Sequence, residues 1–150
     1  MYTDARVIAA VDARYIPVRA HVKEDSAEFQ RLGAKFDVQW TPTILISDSS
    51  GQERHRIEGF LPADDFLAQL ALGAAKAAFS DSDFNAAAGL FDEVVKAYPK
   101  TDAAPEAQYW AGVSRYKATS DPSALNATFK KFQERYTDST WAKKASVWGK

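Results

Sequence analysis

Trp40-Thr41-Pro42-Thr43-Ile44-Leu45-Ile46-Ser47-Asp48-Ser49-Ser50-Gly51-Gln52-Glu53-Arg54-His55-Arg56-Ile57-Glu58-Gly59 is the stretch whose reading settles the fold class. Thr43 to Ser47 is a short β-rich run, and Asp48-Ser49-Ser50-Gly51 behind it is turn-prone. Gln52 to Glu58 can return as the second strand of a hairpin, closed by Gly59. Alternation along it sets Glu53, His55 and Ile57 on one face and Arg54, Arg56 and Glu58 on the other, a charge load that suits an edge strand.

Working back towards the N-terminus, Ser26 is a candidate N-cap with Glu28 in the acid-favouring first turn, and Phe29, Leu32 and Phe36 recur at helical steps. Before it, Ile16, Val18, Ala20 and Val22 alternate with Arg19 and His21, which predicts a strand over Tyr15–Val22. Asp4 caps a short helix whose apolar residues are Val7, Ile8 and Val11. Towards the C-terminus everything after Pro62 reads as helix. Proline is tolerated at a first helical position, Asp64 and Asp65 favour the positive dipole end, and Phe66, Leu70, Ala74 and Ala77 form a stripe.

Further helices start at Asp83, Asp102, Asp121-Pro122 and Ser139; the first of them stops at Pro99. Phe91 and Phe129, Val94 and Phe132, Tyr98 and Tyr136, Asp102 and Thr140, Ala107 and Ala145, and Trp110 and Trp148 are each 38 residues apart. A constant offset points to repeated helical hairpins that bury one another's apolar faces. Fewer than three repeats are present, so the long helix after Pro62 is expected to serve both halves of the chain.

The 150 residues are 46% hydrophobic and 13% aromatic, enough for a packed core. With 19 Lys and Arg against 20 Asp and Glu, the net charge of −1 lacks the positive field that nucleic-acid binding needs. No apolar run approaches the ~18 residues of a spanning helix, so membrane insertion is not expected, and the cytoplasm is the default location. There is no cysteine, which removes disulfides, thiolate metal sites and thiol catalysis from this chain.

Trp40-Thr41-Pro42-Thr43, Ile44-Leu45-Ile46, Asp48-Ser49-Ser50-Gly51, Arg56-Ile57-Glu58-Gly59-Phe60 and the helix from Pro62 together resemble the second half of the thioredoxin fold. Tyr15-Ile16-Pro17-Val18-Arg19 and Phe36-Asp37-Val38-Gln39-Trp40 are similar to that family's preceding strand and helix exit, so the resemblance covers about residues 3–75. It implies a cis Thr41–Pro42 bond. Ala87, Phe91 and Pro99, followed by Ala107, Gly112 and Tyr116, resemble tetratricopeptide repeats. Alanine at Ala74 and Ala111 replaces larger residues that the pattern favours. The fold class expected is α/β plus all-α. A partial thioredoxin-like mixed sheet occupies 1-72 and a tetratricopeptide helical-hairpin array occupies 73-150.

The thioredoxin pattern also has a strand and a Cys-x-x-Cys helix start ahead of the segment matching Asp4 to Val11, and both are missing. That strand lies centrally, between those corresponding to Tyr15–Val22 and Thr43–Ser47, so its absence leaves both without a shared neighbour. An N-terminally shortened version of a longer protein is the expectation; the alternative is that another segment or subunit fills the gap. The incomplete sheet also invites self-association.

Backbone beside a cis-proline of this family can pair with an extended peptide, which makes Trp40, Thr41 and Pro42 the peptide-binding candidates against a purely structural turn. Trp40 could cover that groove, although filling the core beneath is the simpler role. Glu106, Tyr109, Val113, Tyr116 and Lys117 match positions lining the inner surface of tetratricopeptide proteins; they are the partner-binding candidates, weighed against helix packing. Trp110, Trp141 and Trp148 read as packing residues.

His21 and His55 lack any short ligand spacing and read as solvated strand residues. Asp64 and Asp65 suit helix electrostatics better than acid/base work. Ser47, Ser49 and Ser50 lie in no nucleophile elbow, and no Gly-rich phosphate loop occurs, so no catalytic group, metal or cofactor is called for. The function expected is noncatalytic protein–protein interaction with a protein or peptide partner. The alternative is a fragment of a thiol–disulfide oxidoreductase whose Cys-x-x-Cys lies upstream of Met1.

Overall fold

The computed structural model describes residues 2–150. Helix α1 (Ala5–Arg14) begins at Asp4, whose carboxylate accepts the Arg6 N–H at 2.9 Å. Tyr15–Val22 is not a strand. A strand needs a ladder partner, and among the described residues none pairs with this segment. Its side chains follow suit: Ile16 is 94% and Val18 76% exposed, while the Tyr15 hydroxyl anchors the segment by donating to the Leu70 carbonyl at 2.7 Å. Helix α2 (Ser26–Lys35) takes Ser26 as a helical residue behind the cap position Asp25. The Asp25 carboxylate makes no cap bond, because it accepts the His21 N–H at 3.1 Å.

Among the described residues the sheet is the hairpin alone. Strands β1 (Thr43–Ser47) and β2 (Glu53–Glu58) pair antiparallel, with Ile44 opposite Ile57 and Ile46 opposite His55, and a bulge falls between Ile46 and Ser47. At the turn, Asp48 Oδ1 accepts the Ser50 hydroxyl at 2.6 Å, the Ser50 N–H at 2.9 Å and the Gln52 N–H at 3.0 Å, while Oδ2 accepts Arg54 Nε at 2.7 Å. The Ser50 hydroxyl bond leads these in holding the Asp48 carboxyl down at about 2. Gly51 supplies the positive φ of 79° that ends the turn.

Helix α3 (Ala63–Ser80) follows Pro62, which stands at the cap position just outside it. Arg6 pairs with Asp64 at 2.7 Å across the α1–α3 contact. Then come α4 (Phe84–Ala97), α5 (Ala103–Thr119), α6 (Ser123–Glu134), α7 (Thr140–Ala145) and a 3-10 turn over Ser146–Gly149. Asp83 and Ser139 are true caps, accepting N–H bonds from Ala86 at 3.2 Å and Ala142 at 3.0 Å; Asp102 makes no such bond. The molecule is thus a small α/β unit built on one antiparallel hairpin, followed by an all-helical region.

Helix α3 is buried on two sides. Phe66, Leu67 and Leu70 join Val7, Ile46 and Ile57 in one core, whereas Ala68, Leu72 and Ala75 join Ala87, Phe91, Val94, Ala103, Ala107 and Ala111 in the other. This explains why its apolar residues exceed a single stripe. Tyr98, just past α4, packs against both cores. The 38-residue offset is visible in burial: Val94 and Phe132, and Ala107 and Ala145, are all buried. Tyr136 reaches back to the end of α4, its hydroxyl donating to the Pro99 carbonyl at 2.7 Å.

Candidate functional site

The Thr41–Pro42 peptide is cis and leads directly into β1. Gly59 N–H donates to the Pro42 carbonyl at 2.8 Å, which makes residues 42 and 59 a hydrogen-bonded antiparallel pair. Alternation then turns the backbone groups of Ile44 and Ile46 towards β2 and those of Thr43 and Leu45 towards the opposite edge. No strand lies along that edge among the described residues. The Thr43 hydroxyl donates to the Trp40 carbonyl at 2.7 Å and steadies the approach. Trp40 does not fill the core: it is 69% exposed, and Thr41 and Pro42 are exposed too. Its indole is left outside because α3 already covers the inner face of the hairpin through Phe66, Leu67 and Leu70.

A polar chain ties this hairpin to the helical region. His55 Nε2 lies 2.6 Å from Gln69 Oε1 and Nδ1 lies 3.2 Å from Lys76 Nζ. An ammonium only donates, so Nδ1 accepts from Lys76 and the Nε2–H donates to Gln69. Lys76 in turn pairs with Glu106 of α5 at 2.6 Å. His55 is therefore not the solvated residue expected: β2 turns it towards α3, and burial, followed by the Lys76 charge, lowers its pKa against the raising effect of Gln69. His21 stands apart, its Nδ1 accepting backbone N–H bonds from Lys23 at 3.3 Å and Glu24 at 3.2 Å. Among the described residues no three His, Asp or Glu side chains are placed to hold a metal.

On α5 the five expected face residues have different surroundings. Glu106 is committed to Lys76, Val113 is half-buried, and Tyr116 and Lys117 are exposed. Tyr109 stacks on Trp148 with centroids 4.6 Å apart and meets Trp141 at 5.2 Å; partial burial raises its phenol pKa. The stack continues through Trp110 to Phe79 at 5.2 Å and from Phe79 to Phe84 at 5.2 Å. Lys144 lies 4.0 Å from the Trp141 ring centroid and Lys117 5.4 Å from that of Phe84. These rings join α3, α4, α5, α7 and the 3-10 turn into one half-buried aromatic wall.

Sequence reading passed over Phe79, Phe84, Gln69 and Lys76. Phe79 and Phe84 flank the polar turn Ser80-Asp81-Ser82-Asp83, a bracketing that could have marked them as a pair across a helix junction. Gln69 and Lys76 are seven apart on α3, which places them on one face.

Residues 2–74, just under half of the chain, match a family profile described as a thioredoxin-like domain. No curated protein and no solved structure matches the chain significantly. No helix among the described residues is long and apolar enough to cross a membrane.

Proposed function

Proceeding from a thioredoxin-like domain at residues 2–74 joined to an all-helical region, we propose that the chain is a noncatalytic, cytoplasmic protein–protein interaction module. The observation that carries this reading is the open edge of β1 beside an exposed Trp40. An extended peptide laid along Trp40, Thr41, Pro42 and β1 would satisfy the outward groups of Thr43 and Leu45 and take apolar cover from the indole. A second copy of the chain, using its own β1, is another occupant of the same edge.

The units 1-72 and 73-150 divide inside α3, whose two faces serve two cores, and the second unit reads as tetratricopeptide-like repeats. On this reading Tyr116 and Lys117 contact a partner, while Glu106, Tyr109 and Val113 shape the face through Lys76, Trp148 and the neighbouring helices. The oxidoreductase alternative draws on the same open edge, because in a longer parent a strand and Cys-x-x-Cys ahead of Met1 would occupy it.

The test is selection of extended peptides from a random displayed library on the purified chain. Bound peptides are expected to lose at least ~10-fold in affinity to Trp40→Ala, an anchor-residue effect. Peptides that bind Trp40→Ala equally well overturn the assignment. Failure to select any peptide, together with insulin reduction by a longer gene product carrying an upstream Cys-x-x-Cys, replaces it with the oxidoreductase reading.

A further inference from the structure

Between α1 and α2 the chain carries a bare stretch of backbone. Tyr15 leaves α1 in the extended region, with φ −130° and ψ 153°, and Ile16, standing ahead of Pro17, is held to that region too. The stretch is fastened at both ends: the Tyr15 hydroxyl donates to the Leu70 carbonyl, and the His21 N–H donates to the Asp25 carboxylate. Among the described residues the backbone of Ile16, Pro17, Val18, Arg19 and Ala20 makes no backbone hydrogen bond, and the side chains of Ile16 and Val18 stand in solvent.

Pro17 decides which edge of this stretch can pair. Backbone groups alternate between edges, so Ile16, Val18 and Ala20 present theirs on one edge and Pro17 and Arg19 on the other. Lacking an N–H, proline spoils the second edge and leaves the first intact. On β1 the open groups are those of Thr43 and Leu45, which face away from β2. Each copy of the chain therefore holds an unpaired strand edge and an unpaired extended stretch, and the two do not pair with each other.

The chemistry of the two segments suits their joining. No charged side chain lies on β1, and Arg19, the one charge between Ile16 and Ala20, is matched by Glu24 at 2.8 Å, so contact seals in no lone charge. Ile44 and Ile46 face the α3 core, which puts Leu45 on the far face of the hairpin. Val18, as its hydrogen-bonded antiparallel neighbour, would share that face and cover it. A dimer through two β1 strands closes the edges but leaves both stretches bare, whereas exchange satisfies edge and stretch in each copy.

We propose that two copies of the chain exchange these segments. Residues 16–20 of one copy add antiparallel to β1 of the other, with Val18 opposite Leu45 and Ala20 opposite Thr43, and a two-fold axis repeats the pairing. The exchange rests on the same open β1 edge assigned to an extended peptide, so the two occupants compete for it.

Sedimentation equilibrium of the whole chain is expected to show a monomer–dimer equilibrium. Val18→Pro removes the central N–H of the pairing edge at an exposed position without a backbone bond in the monomer, and is expected to weaken dimerisation at least ~10-fold. In the dimer, amide exchange should slow at Val18, Ala20, Thr43 and Leu45 together and stay fast at Arg19. The peptide reading is judged separately, by whether selected peptides bind the Val18→Pro chain, whose Trp40 and β1 are unaltered. A chain that stays monomeric, a dimer that slows only Thr43 and Leu45, or undiminished dimerisation of Val18→Pro would each overturn the exchange.

Discussion

The two regions that meet at α3 solve the same problem with unequal success. In the helical region Leu72, Phe91 and Val94 are completely enclosed, and small residues such as Ala87, Ala103 and Ala107 let the helices close around them. In the α/β region Ile16, Val18, Trp40 and Phe60 remain mostly exposed around a two-stranded sheet. The difference lies in how backbone groups are satisfied. A helix pairs them within itself and needs only an apolar neighbour, which the next hairpin provides. A strand needs a second segment for its hydrogen bonds, so a strand with no neighbour on one side leaves its outward groups unpaired.

Substituting an aromatic on each side sharpens this contrast most. Phe91→Ala is expected to cost about 3–5 kcal/mol in chemical denaturation, because a buried ring leaves a cavity among closely packed helices. Trp40→Ala should change stability by less than about 0.5 kcal/mol, as befits an exposed side chain. Comparable losses would erase the distinction between the regions.

The next effect concerns close approach. A methyl group at Gly112 would sit 2.7 Å from Thr128 Cβ, an atom fixed by the α6 backbone, so Gly112→Ala is expected to cost about 1–3 kcal/mol despite alanine's better helix propensity. Gly73→Ala, where α3 meets the hairpin, collides mainly with the tip of the Ile46 side chain and comes no nearer than 3.3 Å to His55 Cβ. It should cost less, since that tip can rotate; thermal melts of the two variants rank the rigidity of the two contacts. A larger loss at Gly73 would make the α/β contact the tighter one.

The smallest effect is a pH dependence at the link between the regions. His55 titrates near 6.5 when unfolded and lower when folded, so between those values the unfolded chain binds more protons. Stability from this group is therefore complete above 6.5 and is lost as pH falls through the folded value. Glu53, Lys76 and Glu106 share that field. His55→Gln should flatten the stability profile in this window in denaturation series across pH. An unchanged slope would locate the titration elsewhere.

What the sequence revealed tracks the range of the interactions involved. The caps at Asp4, Asp83 and Ser139, the Asp48–Gly51 turn and the two-sided role of α3 depend on neighbours a few residues away or on a regular pattern. Tyr15–Val22 has the alternation of a strand, but alternation cannot supply the absent partner. His55 reads as polar and solvated because Gln69 and Lys76, which enclose it, belong to another element. Glu106 has a helical-face position in the sequence, yet its partner Lys76 lies thirty residues away on α3. Trp40 reads as core by size alone, and only the packing of α3 shows that the place is taken.

Amide hydrogen exchange along β1 in the free, monomeric chain tests the open edge most directly. The account predicts slow exchange at Ile44 and Ile46, whose N–H groups face β2, and fast exchange at Thr43 and Leu45, whose N–H groups face outward. Uniformly strong protection at all four positions in the monomer would contradict it, because the edge proposed to receive a partner would already be closed.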